Sequence, residues 1–87
     1  MIKIHSLKIK PEYFNDVVKG DLNFQVRYND RNFRVGDILT LEEFDEKGYT
    51  GRRINVEIIY ILDDYTLIRE HYVVLGTKLR LDRGVIL

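Results

Sequence analysis

The chain is expected to fold as a mostly β protein of the α+β kind, a small antiparallel barrel with one short helix after its first strand. Three observations lead there. Short alternating or β-branched stretches recur along the sequence, a single early segment carries a helical stripe, and 87 residues suffice for one core. Closure into a barrel would remove the edges that so small a sheet otherwise exposes. No repeat, linker or low-complexity stretch interrupts the chain, so residues 1–87 are read as one domain.

The opening residues 1–9 alternate as a strand, with Ile2 and Ile4 on one face and Leu7 and Ile9 in the opposite phase. That change of phase predicts a bulge or bend at His5 and Ser6. Pro11 then opens a helix whose stripe is Tyr13, Phe14, Val17 and Val18, and Gly20 is placed to end it in a left-handed conformation. A second strand is expected over residues 22–28 and a third over 37–43, after which the acidic run Glu42 to Glu46 forms a solvated loop leading to a turn before Tyr49. Residues 52–62 are rich in β-branched side chains, and Asp63 and Asp64 mark a tight connection into a hairpin partner over 65–75. Gly76 interrupts, and residues 78–87 add a last short strand or a tail.

Composition narrows the function classes. Fourteen basic and fourteen acidic side chains cancel, so polyanion binding requires a local patch and not a global field. The absence of cysteine excludes a disulfide scaffold, a thiolate metal site and a cysteine nucleophile, and agrees with a cytoplasmic location. No apolar stretch approaches the roughly twenty residues that cross a bilayer, so no membrane partner is expected. The acidic run lacks the ligand spacing and central glycine of a calcium loop. His5 and His71 are not spaced from other ligands as zinc requires, and Ser6 points to the opposite strand face from His5. Neither a hydrolytic triad, a metal nor a cofactor is therefore expected.

The segment most suited to a ligand is GDLNFQVRYNDRNFR, residues 20–34. As a strand it places Leu22, Phe24, Val26 and Tyr28 on one face and Asn23, Gln25 and Arg27 on the other. Arg27 carries five donors in a fixed plane that match phosphate or a base edge, and Gln25 beside it both donates and accepts. The loop that follows adds Asn29, Arg31 and Arg34 around Phe33, which is assigned to the core because Val35 and Ile38 nearby also favour burial. Asn29 and Asp30 also suit a plain turn closed through their side chains. Further on, YTGR at Tyr49–Arg52 reads as a β-turn with Gly51 at positive φ, placing Thr50, Arg52 and Arg53 near the same cleft.

These segments resemble the PUA-like fold within the activating-signal-cointegrator homology (ASCH) superfamily, and most of all a group of short uncharacterised bacterial and phage proteins. The resemblance is carried by IHSLKIKPEYF, NDRNFRVGDIL, YTGR and HYVVLG, in that order along nearly the whole chain. It implies a small β-barrel with a cleft for RNA or a nucleobase beside a strand bearing G-x-K-x-x-E-x-R. Gly20 and Arg27 match that motif, whereas Leu22 stands at its lysine and Gln25 at its glutamate. In superfamily members that hydrolyse the amide of acetylated cytidine, those two positions take part in the chemistry. Leucine takes no proton and glutamine is no useful base near neutral pH.

The expected function is thus a noncatalytic module binding RNA or a nucleotide-like ligand through Gln25, Arg27, Asn29, Arg31, Thr50 and Arg52. The alternatives are a nucleoside amidohydrolase with a relocated base, such as Asp30 or Glu57, and a protein-interaction module. The latter would present Tyr13, Tyr28, Tyr49, Tyr60, Tyr65 and Tyr72 to a protein partner.

Overall fold

Residues 1–80 are described by a computed structural model. Along the chain come β1 (Ile4–Ile9), α1 (Pro11–Val18), β2 (Phe24–Tyr28), β3 (Ile38–Asp45), β4 (Gly48–Leu62) and β5 (Tyr72–Leu79). The strands form one sheet in the order β1-β3-β4-β5-β2, curled into a half-barrel. The mostly β architecture with a single short helix after the first strand is as expected from the sequence. β1 and β3 run parallel and the other neighbours antiparallel.

Inward-facing side chains of β1, β3, β4 and β5 build the core. Leu7 and Ile9, Leu39 and Leu41, Ile54, Val56 and Ile58, and Val73 and Leu75 are buried together, with Phe14 and Val17 of α1 packed against them. Pro11 occupies the first turn of α1, where its missing N–H costs nothing. At the other end Gly20 sits at φ +82°, which lets the amides of Asp21 and Leu22 return to the Asp16 carbonyl. The helix thereby stops and hands the chain to β2.

Several local expectations are corrected. β1 has no bulge: its register with β3 runs unbroken from Ile4 opposite Ile38 to Ile9 opposite Glu43. His5, not Ile4, takes the inward position, because its Nε2 lies 2.8 Å from Asp37 Oδ2 and its buried ring has a polar partner. The acidic run is not a solvated loop, since Glu42 and Glu43 belong to β3 and Glu43 is buried. The hairpin turns at Glu46 and Lys47, so the β-turn expected at Tyr49–Arg52 is instead a bulge within β4. There Thr50, Gly51 and Arg52 oppose Glu43 alone, and Gly51 supplies a φ of +91°.

The connection after Asp64 is longer than a tight turn, and β5 begins at Tyr72 and not at Tyr65. Asp64 instead closes a local turn, accepting from the Thr66 amide and hydroxyl. Gly76 does not interrupt β5 but lies within it, between Phe24 of β2 and Tyr60 of β4. A Cβ there would stand 3.2 Å from that of Tyr60, so a side chain at this position would crowd β4. Leu79 ends β5, and the expectation for the remainder of 78–87 falls beyond residue 80, outside the described residues.

Candidate functional site

β2 keeps its alternation, and its polar face is the one turned inward. Gln25 and Arg27 stand opposite Leu75 and Val73, which are buried, whereas Phe24, Val26 and Tyr28 are exposed. Glutamine and arginine therefore occupy core-facing positions on an edge strand. They do so because the sheet does not close there through backbone pairing: β1 and β2 are its two ends. Arginine side chains bridge this seam. Arg27 Nη2 donates to the Lys8 carbonyl at 2.9 Å, and Arg31 Nη1 donates to the Ser6 carbonyl at 2.6 Å.

Arg31 is held in place by the loop that carries it. Phe33 is buried in the core, as expected, with its ring edge-on to His5 at 4.9 Å. Asp37 pins the far end of the loop, accepting from the Arg34 and Lys3 amides and from His5. Burial raises the Asp37 pKa, but these hydrogen bonds and the His5 charge outweigh it and leave the carboxyl below its ordinary value. His5 and Asp37 are 32 residues apart, and nothing local in the sequence marks them as partners.

Along the seam lies a cleft of about 500 Å³ lined by Lys8, Ile9, Lys10, Tyr13, Leu22, Phe24, Gln25, Val26 and Arg27. Those side chains include three cations and no carboxylate. Leu22, at the motif's lysine position, adds apolar wall. Gln25 is only 6% exposed; its Oε1 accepts from Arg27 Nη2 at 3.1 Å, and its Nε2 has no hydrogen-bond partner. A buried donor left unpaired costs on the order of 1–3 kcal/mol unless water or another acceptor meets it. Tyr13 and Phe24, each about half exposed, offer ring surface at the mouth. Burial and then the neighbouring Arg31 charge lower the Arg27 pKa from its ordinary value.

Thr50 and Arg52 belong to a different cluster. Glu43 accepts from the Thr50 hydroxyl at 2.6 Å and from Arg52 Nε at 2.8 Å and Nη2 at 2.5 Å. The Arg52 guanidinium also lies over the Phe14 ring at 4.7 Å and donates to Asn15 of α1. Hydrogen bonds from Arg52 and Thr50, with the Arg52 charge, outweigh burial and lower the Glu43 pKa from 4.5 to about 2. The structure thus brings Gln25, Arg27 and Arg31 to the seam and ties Thr50 and Arg52 to Glu43 instead. Asn29 joins neither group: it is exposed, and its amide donates to the His71 carbonyl. Arg53 is exposed beside Glu42.

Lys8, Lys10 and Tyr13 line the cleft although sequence reasoning singled out none of them as ligand-binding. The signal that would have found them is the adjacency of β1 and β2, which depends on the order of the whole sheet. Among the described residues no three His, Asp or Glu side chains gather as a metal site would need. No helix of the described chain is long and apolar enough to cross a membrane.

The family described as a domain of unknown function, DUF3850, matches residues 4–77. A protein of Escherichia phage P2, described as an uncharacterized 12.9 kDa protein in the GpA 3′ region, is 35% identical over 74 residues, covering 78% of this chain and 68% of its own length.

Proposed function

The chain belongs to the DUF3850 family, and from the geometry of its cleft we propose a PUA-like, ASCH-related module that binds RNA or a nucleotide. The observation that carries this reading is the Gln25 amide, buried, oriented by Arg27 and left with an unpaired donor in a cleft whose charged side chains are all cations. Such a donor fits an acceptor on a base edge, Arg27 with Lys8 and Lys10 fits phosphate, and Tyr13 or Phe24 provides a face for stacking. The half-barrel is compatible with the resemblance seen in the sequence.

Binding without hydrolysis is favoured because the lining of this cleft offers no carboxylate or histidine to act as general base. Of the two relocated bases considered, Glu57 is ion-paired with Arg80, and Asp30 lies 3.8 Å from the Arg31 guanidinium. Neither is among the residues lining the cleft.

The test is fluorescence anisotropy of labelled single-stranded oligoribonucleotides against the parent protein and Gln25→Leu. Weak binding that falls with salt by a slope of only a few phosphates, and that drops at least several-fold in a variant whose melting temperature is not lowered, is the expected result. Equal binding by both proteins would remove the cleft as the site.

A further inference from the structure

The cleft continues beyond Arg27. A second hollow of about 290 Å³, lined by Ser6, Leu7, Lys8, Arg27, Arg31, Glu42 and Tyr49, shares Lys8 and Arg27 with the first. The two compartments therefore meet at a wall made of two cations. Arg27 uses Nη2 for both of its hydrogen bonds, to the Lys8 carbonyl and Gln25 Oε1, which leaves Nη1 and Nε as donors. Arg31 is engaged with the Ser6 carbonyl through Nη1 and keeps donors of its own. A neutral carbonyl holds Arg27 without cancelling its charge, whereas Arg31 also has the exposed Asp30 carboxylate 3.8 Å from its Nε.

The second compartment has its own aromatic. Tyr49 is 60% exposed, and its ring stands edge-on to Phe44 at 5.0 Å, with Lys8 Nζ 5.8 Å from the Tyr49 centroid and 4.4 Å from that of Phe44. Those contacts hold the ring while leaving surface free. Glu42 is the carboxylate of this compartment. It repels a phosphate placed deep within it and so directs the anion toward the Lys8–Arg27 wall, while accepting a hydrogen bond from a hydroxyl or an amine beyond.

We propose that the site accommodates two consecutive nucleotides. One base lies in the first compartment against Gln25, the bridging phosphodiester lies across Lys8, Arg27 and Arg31, and the second nucleoside lies in the second compartment beside Tyr49 and Glu42. This deepens the nucleotide-binding reading above and rests on it. It makes the minimal tight ligand a dinucleotide, because only a phosphodiester linkage engages the shared wall and both compartments at once.

The test is calorimetric titration with three probes: the four ribonucleoside 5′-monophosphates, the randomised ribodinucleotide pool and the randomised trinucleotide pool. Dinucleotides are expected to bind at least ten-fold tighter than any monophosphate, with trinucleotides gaining little more. Arg31→Ala is expected to reduce that advantage several-fold, by weakening dinucleotides more than monophosphates. Because Arg31 also bridges the seam, Tyr49→Ala, which alters an exposed side chain, is run beside it and should shrink the advantage several-fold. Monophosphates and dinucleotides binding equally would overturn the two-nucleotide site and leave the first compartment intact. Variants that weaken both ligands alike would do the same. Failure of every probe to bind the parent protein would instead overturn the nucleotide-binding reading itself, and this inference with it.

Discussion

Two arginine clusters a few strands apart serve opposite ends. In the β3–β4 hairpin Arg52 meets the buried carboxylate of Glu43 through two nitrogens, so charge is matched by charge and the cluster ties the bulge to α1. At the β1–β2 seam Arg27 and Arg31 donate to backbone carbonyls, which satisfy hydrogen bonds without supplying charge; among the described residues Arg27 has no carboxylate partner, and Arg31 has only the exposed Asp30, 3.8 Å from its Nε. The same residue type is structural in one place and available to an anion in the other. The difference lies in the acceptor, a carboxylate or a neutral carbonyl, and not in the number of hydrogen bonds.

Replacing the carboxylate should give the largest effect on the fold and none on ligand binding. Glu43→Ala leaves the donors of Thr50 and Arg52 without their acceptor and is expected to cost about 2 kcal/mol in urea unfolding, with oligonucleotide affinity unchanged. A loss of affinity would place Arg52 in the site after all.

Acid reads the same asymmetry. The Glu43 pKa is depressed from 4.5 to about 2 in the folded chain, so its contribution is fully present above 4.5 and is lost as pH falls toward 2. Asp37, also below its ordinary value, acts in the same direction. Unfolding free energy should therefore decline across that window, and Glu43→Gln should flatten the decline by removing its largest part. Parallel pH profiles for the two proteins would contradict the assignment.

Arg27→Ala removes the bridge to Lys8 and is expected to cost about 1 kcal/mol of stability while abolishing measurable oligonucleotide binding. Normal binding by this variant would break the comparison outright. Gln25→Leu should be the mildest for the fold, neutral or stabilising by up to about 1 kcal/mol, because it removes a buried unpaired donor. A clear destabilisation would mean that the amide is held by the fold and not reserved for a ligand.

Much of this was legible in the sequence wherever local rules decide. Pro11 and Gly20 bracket the helix, the alternation of 22–28 makes a strand, and Phe33 is core because it interrupts a polar loop beside other apolar residues. What escaped depends on partners distant in the chain. His5 displaces Ile4 inward only because Asp37 reaches it, Glu43 is buried only because the bulge delivers Thr50 and Arg52, and Gly76 is favoured by the close approach of Tyr60 across the ladder. The site divides the same way. Gln25 and Arg27 were visible as a polar face on a strand, whereas Lys8, Lys10 and Tyr13 enter through sheet order. Thr50 and Arg52 were assigned to the cleft because an arginine's counter-charge cannot be read from its neighbours.

The central claim is that the unpaired Gln25 amide in the cationic cleft receives a ligand acceptor. Its most direct test is to follow the Gln25 side-chain NH₂ resonances of ¹⁵N-labelled protein during titration with single-stranded RNA. This amide pair is expected to shift with the backbone of residues 24–31, while the Glu43, Thr50 and Arg52 resonances stay in place. Shifts confined to the hairpin cluster, or a Gln25 amide indifferent to RNA that binds elsewhere, would contradict it.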